Sequence, residues 1–324
     1  MKVVIRTEYG GPDVLSVVEI DKPKPKPGEV LIKVAAVAAT SADSKMRGLQ
    51  GLSPSMRVLT RLVFGFIKPR NPILGSFFSG TVEQVGDNVT KFAVGQEVFG
   101  STGMKQGAYA EYVCLPQTGV VVIKPSEMSF SQGASISFGG TSALCFLQKA
   151  GIQPGESILI NGAGGDVGLA AIQLVRKFGV TEITAVCGTD KIDTVSQMGA
   201  SRVIDYQNEN FAEMDGSYDV IFDTVGNLNF NCHKAKLKKN GRMLSAFFPL
   251  SAPLRAMIMN LFSNKKHVCI VAEESVESLN YLTELFRTGD FKPLISHSWP
   301  LDDTAIAHRY IQNGHKLGSV VLLP

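Results

Sequence analysis

The chain has 324 residues, 44% hydrophobic and 19% charged, enough to build two domains with sizeable cores. Its formal net charge is +3 and its lysines and arginines are scattered, which speaks against a nucleic-acid-binding surface. Five widely spaced cysteines (114, 145, 187, 232, 269) contain no C-x-x-C, which excludes a paired-cysteine zinc site and argues against a disulfide framework.

In chain order, Met1–Gly11 reads as a strand running into a Gly-Gly-Pro turn and not as a signal peptide. No 18-residue apolar run follows, so no membrane partner is expected and the reading is cytoplasmic, with free thiols. Residues 1–124 are strand-rich, with runs at Val3–Arg6, Val30–Val37, Gly80–Val85, Glu97–Phe99 and Tyr109–Val113. Gly/Pro turns separate them, which predicts a mainly antiparallel, barrel-like unit. Lys22–Pro27 (KPKPKP) reads as an exposed, extended connector.

From about Pro125 helices and strands alternate. Helices are predicted at Ser131–Ala150, Val167–Gly179 and Ile192–Gly199. The strands between and after them are Ser157–Asn161, Ile183–Val186, Val203–Asp205, Val220–Asp223, Gly241–Ala246 and Val268–Val271, which predicts a doubly wound parallel sheet. A helix (Val276–Thr288), a proline-marked loop, a helix (Leu301–Gly314) and a last strand (Ser319–Leu323) complete the chain.

The most informative stretch is SILINGAGGDVGLAAIQLVRKF, Ser157–Phe178. A strand ends in a turn with four glycines among Gly162–Gly168, and a helix with one apolar face opens on that turn. Glycines let backbone N–H groups approach a pyrophosphate, and the positive end of the helix dipole faces it. Strict G-x-G-x-x-G spacing fails at Val167, whereas Ala163-x-Gly165-x-x-Gly168 fits a variant with alanine first. The reading is dinucleotide binding.

One strand later, about 20 residues on, an NAD site places Asp or Glu for the ribose 2′-hydroxyl. Here Cys187-Gly188-Thr189 stands instead, followed by Lys191. Small residues leave room for a 2′-phosphate, Thr189 offers a donor and Lys191 a charge, which favours NADPH. Asp190 is the alternative, serving the ribose of NAD if its backbone turned inward.

The whole chain resembles the medium-chain dehydrogenase/reductase superfamily, in its zinc-free quinone-oxidoreductase branch. The pieces that carry the resemblance include RTEYGGPDVLSV, PKPGEVLIKV, NPILGSFFSGTVEQVG, VGQEVFG, GAYAEYV, AGGDVGLAAIQLVRKFG, MGASRVIDY, YDVIFDTVG and HRYIQNGHKLGSVVL, in family order. The resemblance implies an α/β protein with a chaperonin-10-like β-barrel catalytic domain (1–124 and 275–324) and a Rossmann doubly wound parallel-sheet domain (125–274). It implies NADPH in the cleft between them, and usually a homodimer.

Zinc-dependent relatives place a cysteine and a Gly-His-Glu at positions that read Thr40 and Gly75-Ser76-Phe77 here, and their four-cysteine lobe has no counterpart. No tetrahedral N/S site is expected. His233, His267, His297, His308 and His315 are isolated and read as surface or satisfied-core residues.

The Asn-Pro-x-Asp segment frequent in zinc-free relatives reads Thr40-Ser41-Ala42-Asp43. Its likeness assigns Thr40 to the nicotinamide ribose and keeps Asp43, which reads equally as a helix cap or turn residue. By the same resemblance Thr141 contacts nicotinamide, and Gly165, Asp166 and Val167 sit on the pyrophosphate. Gly188, Thr189, Lys191 and Tyr206 clamp the 2′-phosphate. Thr224, Phe247 and Phe248 line the nicotinamide side, the phenylalanines reading equally as core. Ser319 stands where relatives often carry a lysine close to the cofactor. Phe77 and Phe78 are expected to make the site more apolar, which points to a hydrophobic small-molecule acceptor.

Leu49–Arg70 and Ala252–Phe262 read as lids over the site or, equally, as plain packing or a dimer contact. The leading expectation is an NADPH-dependent reductase of quinones or α,β-unsaturated carbonyls. The alternatives are a zinc-free NADP-dependent carbonyl reductase and a non-catalytic NADPH-binding sensor.

Overall fold

The computed structural model describes residues 1–211, 213, 216–314 and 316–324, so His315 lies outside the described residues. The chain forms two compact units. The first comprises Met1–Phe138, Glu274–Arg287 and Lys292–Pro324, the second Gly139–Glu273 and Thr288–Phe291.

Up to Phe138 the chain forms β1 (Lys2–Arg6), β2 (Leu15–Glu19), β3 (Glu29–Ala39), α1 (Ser41–Gly48), α2 (Pro54–Phe64), β4 (Phe77–Val85), β5 (Glu97–Ser101), β6 (Tyr112–Pro116), β7 (Val120–Ile123) and α3 (Phe130–Ser135). The next stretch holds α4 (Thr141–Ala150), β8 (Ser157–Asn161), α5 (Asp166–Lys177), β9 (Glu182–Cys187), α6 (Ile192–Gln197), β10 (Arg202–Asp205), β11 (Tyr218–Asp223), α7 (Phe230–His233), β12 (Leu237–Ser245), α8 (Ala252–Phe262) and β13 (Lys266–Cys269). The chain closes with α9 (Val276–Thr288), β14 (Ile295–Pro300), α10 (Thr304–Gln312) and β15 (Ser319–Leu323).

In the first unit a mixed sheet runs β14-β15-β3-β4-β5-β7, with β6 also on β3 and β1-β2 forming a separate pair. The long strand β3 organises it: Val30, Ile32 and Val34 face a core that includes Phe78, Val98, Tyr109 and Val320. Successive residues of β4 point to opposite faces. Phe78 therefore enters that core, while Phe77 packs on Phe138, Ala36 and Ala38 on the other face. Both rings are covered, at 0% and 6% exposure.

The second unit is an all-parallel sheet ordered β10-β9-β8-β11-β12-β13, the doubly wound order in which the first strand is central. Every residue of β8 is buried, as a strand covered on both faces requires. Asn161, Asp223, Ser245 and Cys269 lie level across the sheet at the carboxyl ends of β8, β11, β12 and β13. Ligands of such sheets bind outside those ends, where the strand order reverses.

The structure adds β2, β7, α1 and α2 to the expected elements and departs from expectation elsewhere. The helix expected over Ser131–Ala150 is interrupted by a π-helical segment, Ile136–Gly140. Within that segment Gly139 lies against the Asp166 carbonyl at the start of α5. Tyr109 precedes its strand, which begins at Tyr112. The proline-marked loop contains β14, which among the described residues pairs only with β15; an edge strand with one partner need not show apolar alternation.

Candidate active site

β8 ends at Asn161, and the chain turns through Gly162–Gly165 into α5. Gly165 stands at the N-cap in extended conformation, and no side chain caps the helix. A Cβ on Gly168 would sit 2.4 Å from the Gly162 oxygen, so only glycine lets α5 pack this tightly on the turn. The first-turn positions, Asp166 and Val167, thus stand at an uncapped helix N-terminus of the kind that receives phosphate. The residues present fit a dinucleotide.

The neighbouring turn is built by Asp223, a residue the sequence reading passed over although it quoted its motif. Its carboxylate is fully buried. It accepts from Asn161 Nδ2 at 2.9 Å, from the amides of Val225 and Leu228 at 3.0 Å and from that of Gly226 at 2.9 Å. Thr224, expected on the nicotinamide side, donates its hydroxyl to the Asn161 carbonyl at 2.8 Å and ties the ends of β8 and β11 together.

Around the end of β9 the structure gathers the residues expected at the 2′-phosphate. The Asp190 carboxylate and the Tyr206 hydroxyl close over Gly188. Lys191 is only 9% exposed, with its stem laid against Gly164 of the turn. Thr189 is engaged otherwise: its hydroxyl donates to Asp205 Oδ2 at 2.5 Å. That bond holds the Asp205 carboxyl below the usual carboxylate range. The shell therefore carries Asp205 as well as Asp190, and the sequence reading missed Asp205.

Thr141 is buried at the start of α4, while Phe247 and Phe248 follow β12 half-buried. In the first unit Thr40 caps α1 in a reciprocal capping box with Asp43. Asp43 Oδ2 accepts from the Thr40 amide at 2.9 Å, the Thr40 hydroxyl at 2.7 Å and the Tyr109 hydroxyl at 3.2 Å. Burial pushes the Asp43 carboxyl up, opposed by these bonds and by the charge of Lys316. Ser319 is held by backbone bonds, its amide donating to the Leu294 carbonyl at 2.7 Å and its carbonyl accepting from Ser296 Oγ at 3.1 Å. The buried lysine that acts on Asp43 is Lys316, three residues earlier, and only its nearness to the Gly318 turn hinted at it.

At the positions where relatives hold zinc, the Ser76 hydroxyl donates to the Gly103 carbonyl at 3.0 Å and Phe77 lies in the core. Among the described residues, no three His, Cys, Asp or Glu side chains converge on a point that a metal could take.

A mixed antiparallel sheet unit joined to a doubly wound parallel unit with an uncapped glycine turn is the build of a two-domain dehydrogenase/reductase. Comparison with known proteins refines this. Residues 26–125 match the alcohol dehydrogenase GroES-like domain family, and residues 198–322 match a family described as zinc-binding dehydrogenase. The chain is 30% identical over 338 residues to NADPH-dependent alkenal/one oxidoreductase, chloroplastic, of Arabidopsis thaliana, covering 100% of this chain and 80% of that protein. It is 30% identical over 344 residues to quinone oxidoreductase of Homo sapiens, covering 100% and 98%. The solved quinone oxidoreductase of Coxiella burnetii superposes with a TM-score of 0.88 at 27% identity, covering 100% and 99%. The chain belongs to the medium-chain dehydrogenase/reductase superfamily, in its quinone oxidoreductase-like branch. It is an oxidoreductase.

Proposed function

We propose that this enzyme reduces quinones or α,β-unsaturated carbonyls with NADPH and without zinc. The observation that carries the cofactor choice is Lys191, buried against Gly164 with its amide donating to the Gly188 carbonyl. A cation held there by packing is placed for a 2′-phosphate. The names of the alkenal/one and quinone relatives support the substrate class.

NADPH, when bound, supplies a hydride. The chain's own residues bind and orient: Gly165, Asp166 and Val167 take the pyrophosphate, and Gly188, Lys191 and Tyr206 the adenosine phosphate, while Thr189 holds Asp205. Thr141, Thr224, Phe247 and Phe248 bound the nicotinamide. Thr40, fixed by Asp43, contacts the nicotinamide ribose. Ser319 acts through its backbone position. Activated alkenes and quinones need less polarisation than simple ketones, which fits a site whose metal positions are Thr40, Ser76 and Phe77.

A homodimer is the favoured assembly. It is supported by the sheet edge at β13 and by α8 packed on it with Leu254, Met257, Leu261 and Phe262 exposed. Free thiols at all five cysteines support a reducing compartment such as the cytoplasm. Among the described residues, no helix is long and apolar enough to cross a membrane.

The test is NADPH consumption against a panel of quinones, enals and aldehydes. Turnover of quinones or enals is expected. Turnover of aldehydes and ketones alone would make it a carbonyl reductase, and tight NADPH binding without turnover a sensor.

A further inference from the structure

The Asp43 carboxylate that fixes Thr40 belongs to a buried hydrogen-bond relay that runs on through Tyr109 and His308 to Arg47. Thr40, Asp43, Tyr109, His308 and Arg47 are between 0% and 4% exposed. Arg47 Nη1 lies 2.5 Å from His308 Nδ1, and His308 Nε2 lies 3.0 Å from the Tyr109 hydroxyl. That hydroxyl lies 3.2 Å from Asp43 Oδ2, and the Tyr109 and His308 rings meet edge-on at 5.7 Å.

The direction of every bond follows from the chemistry of the two ends. A guanidinium has donors and no acceptor, so Arg47 donates and His308 Nδ1 accepts. The imidazole is neutral, since burial and the charges of Arg47 and Arg6 push it down to about 3. Its one proton therefore sits on Nε2 and is donated to the Tyr109 oxygen. Tyr109 is left to donate to Asp43. Burial, followed by the nearby Asp43 charge, holds the phenol well above its ordinary range, so it keeps that proton.

The other end is Thr40. Its hydroxyl proton goes to Asp43 Oδ2, and one of its lone pairs takes the Asp43 amide at 3.0 Å. One lone pair remains. We propose that His308 and Tyr109 are positioning residues. By keeping Oδ2 of Asp43 a receiver of donors, they make Thr40 a hydrogen-bond acceptor, matched to a donor hydroxyl of the ligand. The proposal rests on the reading that this ligand group is the nicotinamide ribose hydroxyl.

The charged groups around Asp43 are Lys316 from the segment before β15 and Arg6 from β1, with Arg47 of α1 behind His308. When Asp43 takes a proton on Oδ2, that oxygen becomes a donor, the Thr40 hydroxyl is released from it, and the polarity presented to the ligand reverses. NADPH binding therefore weakens as pH falls through the titration of Asp43.

The experiment is the NADPH dissociation constant, read by nicotinamide fluorescence from neutral to acid pH, with melting temperature in parallel. Tyr109→Phe keeps the ring and removes one donor to Asp43, so its acid limb should lie at higher pH, with binding about tenfold weaker than native on that limb and converging at neutral pH. His308→Leu should move the limb the same way, while His308→Gln, which retains a donor toward Tyr109, should bring it back. Thr40→Val should bind weakly and without the limb.

If Thr40→Val binds NADPH like the native protein, the placement of Thr40 is wrong and the proposal falls with it. If Thr40→Val weakens binding but Tyr109→Phe lowers only the melting temperature, the relay is merely structural and the placement of Thr40 stands. Tyr109→Phe alone decides the matter if His308→Leu does not fold.

Discussion

The stem of Lys191 lies so close to Gly164 that a methyl group on the glycine would sit 2.6 Å from Lys191 Cδ. One contact thus couples the glycine turn after β8 to the loop after β9, so a glycine decides where the charge of Lys191 lies.

Cofactor preference follows from that contact. A charge-assisted bond to the 2′-phosphate is worth roughly 1.5–3 kcal/mol, so Lys191→Ala should weaken NADPH about ten- to a hundredfold and leave NADH almost untouched. Gly164→Ala should push the lysine aside and shift the NADPH/NADH ratio in the same direction. Titration of both cofactors checks this. Equal weakening of both, or tighter NADH in the native protein, would pass the ribose to Asp190.

Metal should be dispensable. Dialysis against a strong chelator is expected to leave turnover and melting temperature unchanged, because Ser76 spends its hydroxyl on the Gly103 carbonyl and Phe77 is packed in the core. Stoichiometric zinc in purified protein, measured by elemental analysis, would refute it.

Asp223 should be a stability determinant. Asp223→Ala removes the acceptor of three backbone amides and of the Asn161 side chain at once. Buried donors left unpaired make the expected cost about 3 kcal/mol, read from urea unfolding midpoints. The loosened turn should also weaken NADPH through Thr224. A change below roughly 0.5 kcal/mol, within the scatter of ordinary surface substitutions, would contradict this account.

His308 should make the protein acid-sensitive. Its ordinary value of 6.5 falls to about 3 in the folded state, so between these values the unfolded chain binds the proton and the folded one does not. Stability therefore rises with pH across that window and is lost as pH falls through it, by up to about 1.4 kcal/mol per unit from this residue. His308→Gln should flatten the slope of unfolding free energy against pH. An unchanged slope would mean that other groups dominate.

Much of this protein was legible in its residues. The strands of the parallel sheet are short apolar runs, and the Gly162–Gly168 turn with the helix after it is a local pattern, so both follow from neighbours in sequence. The places of Gly188 and Tyr206, just after β9 and β10, were readable for the same reason. The tertiary structure alone decided what those residues touch. The pairing of Arg47 with His308 spans 261 positions, and the exchange of Ser319 for Lys316 beside Asp43 depends on how the chain enters β15. Thr189 was read as a free donor because nothing local shows that Asp205, on the neighbouring strand, takes its proton. Side-chain hydrogen bonds between distant segments leave no periodic trace in sequence; they exist only once burial has removed water as the competing partner.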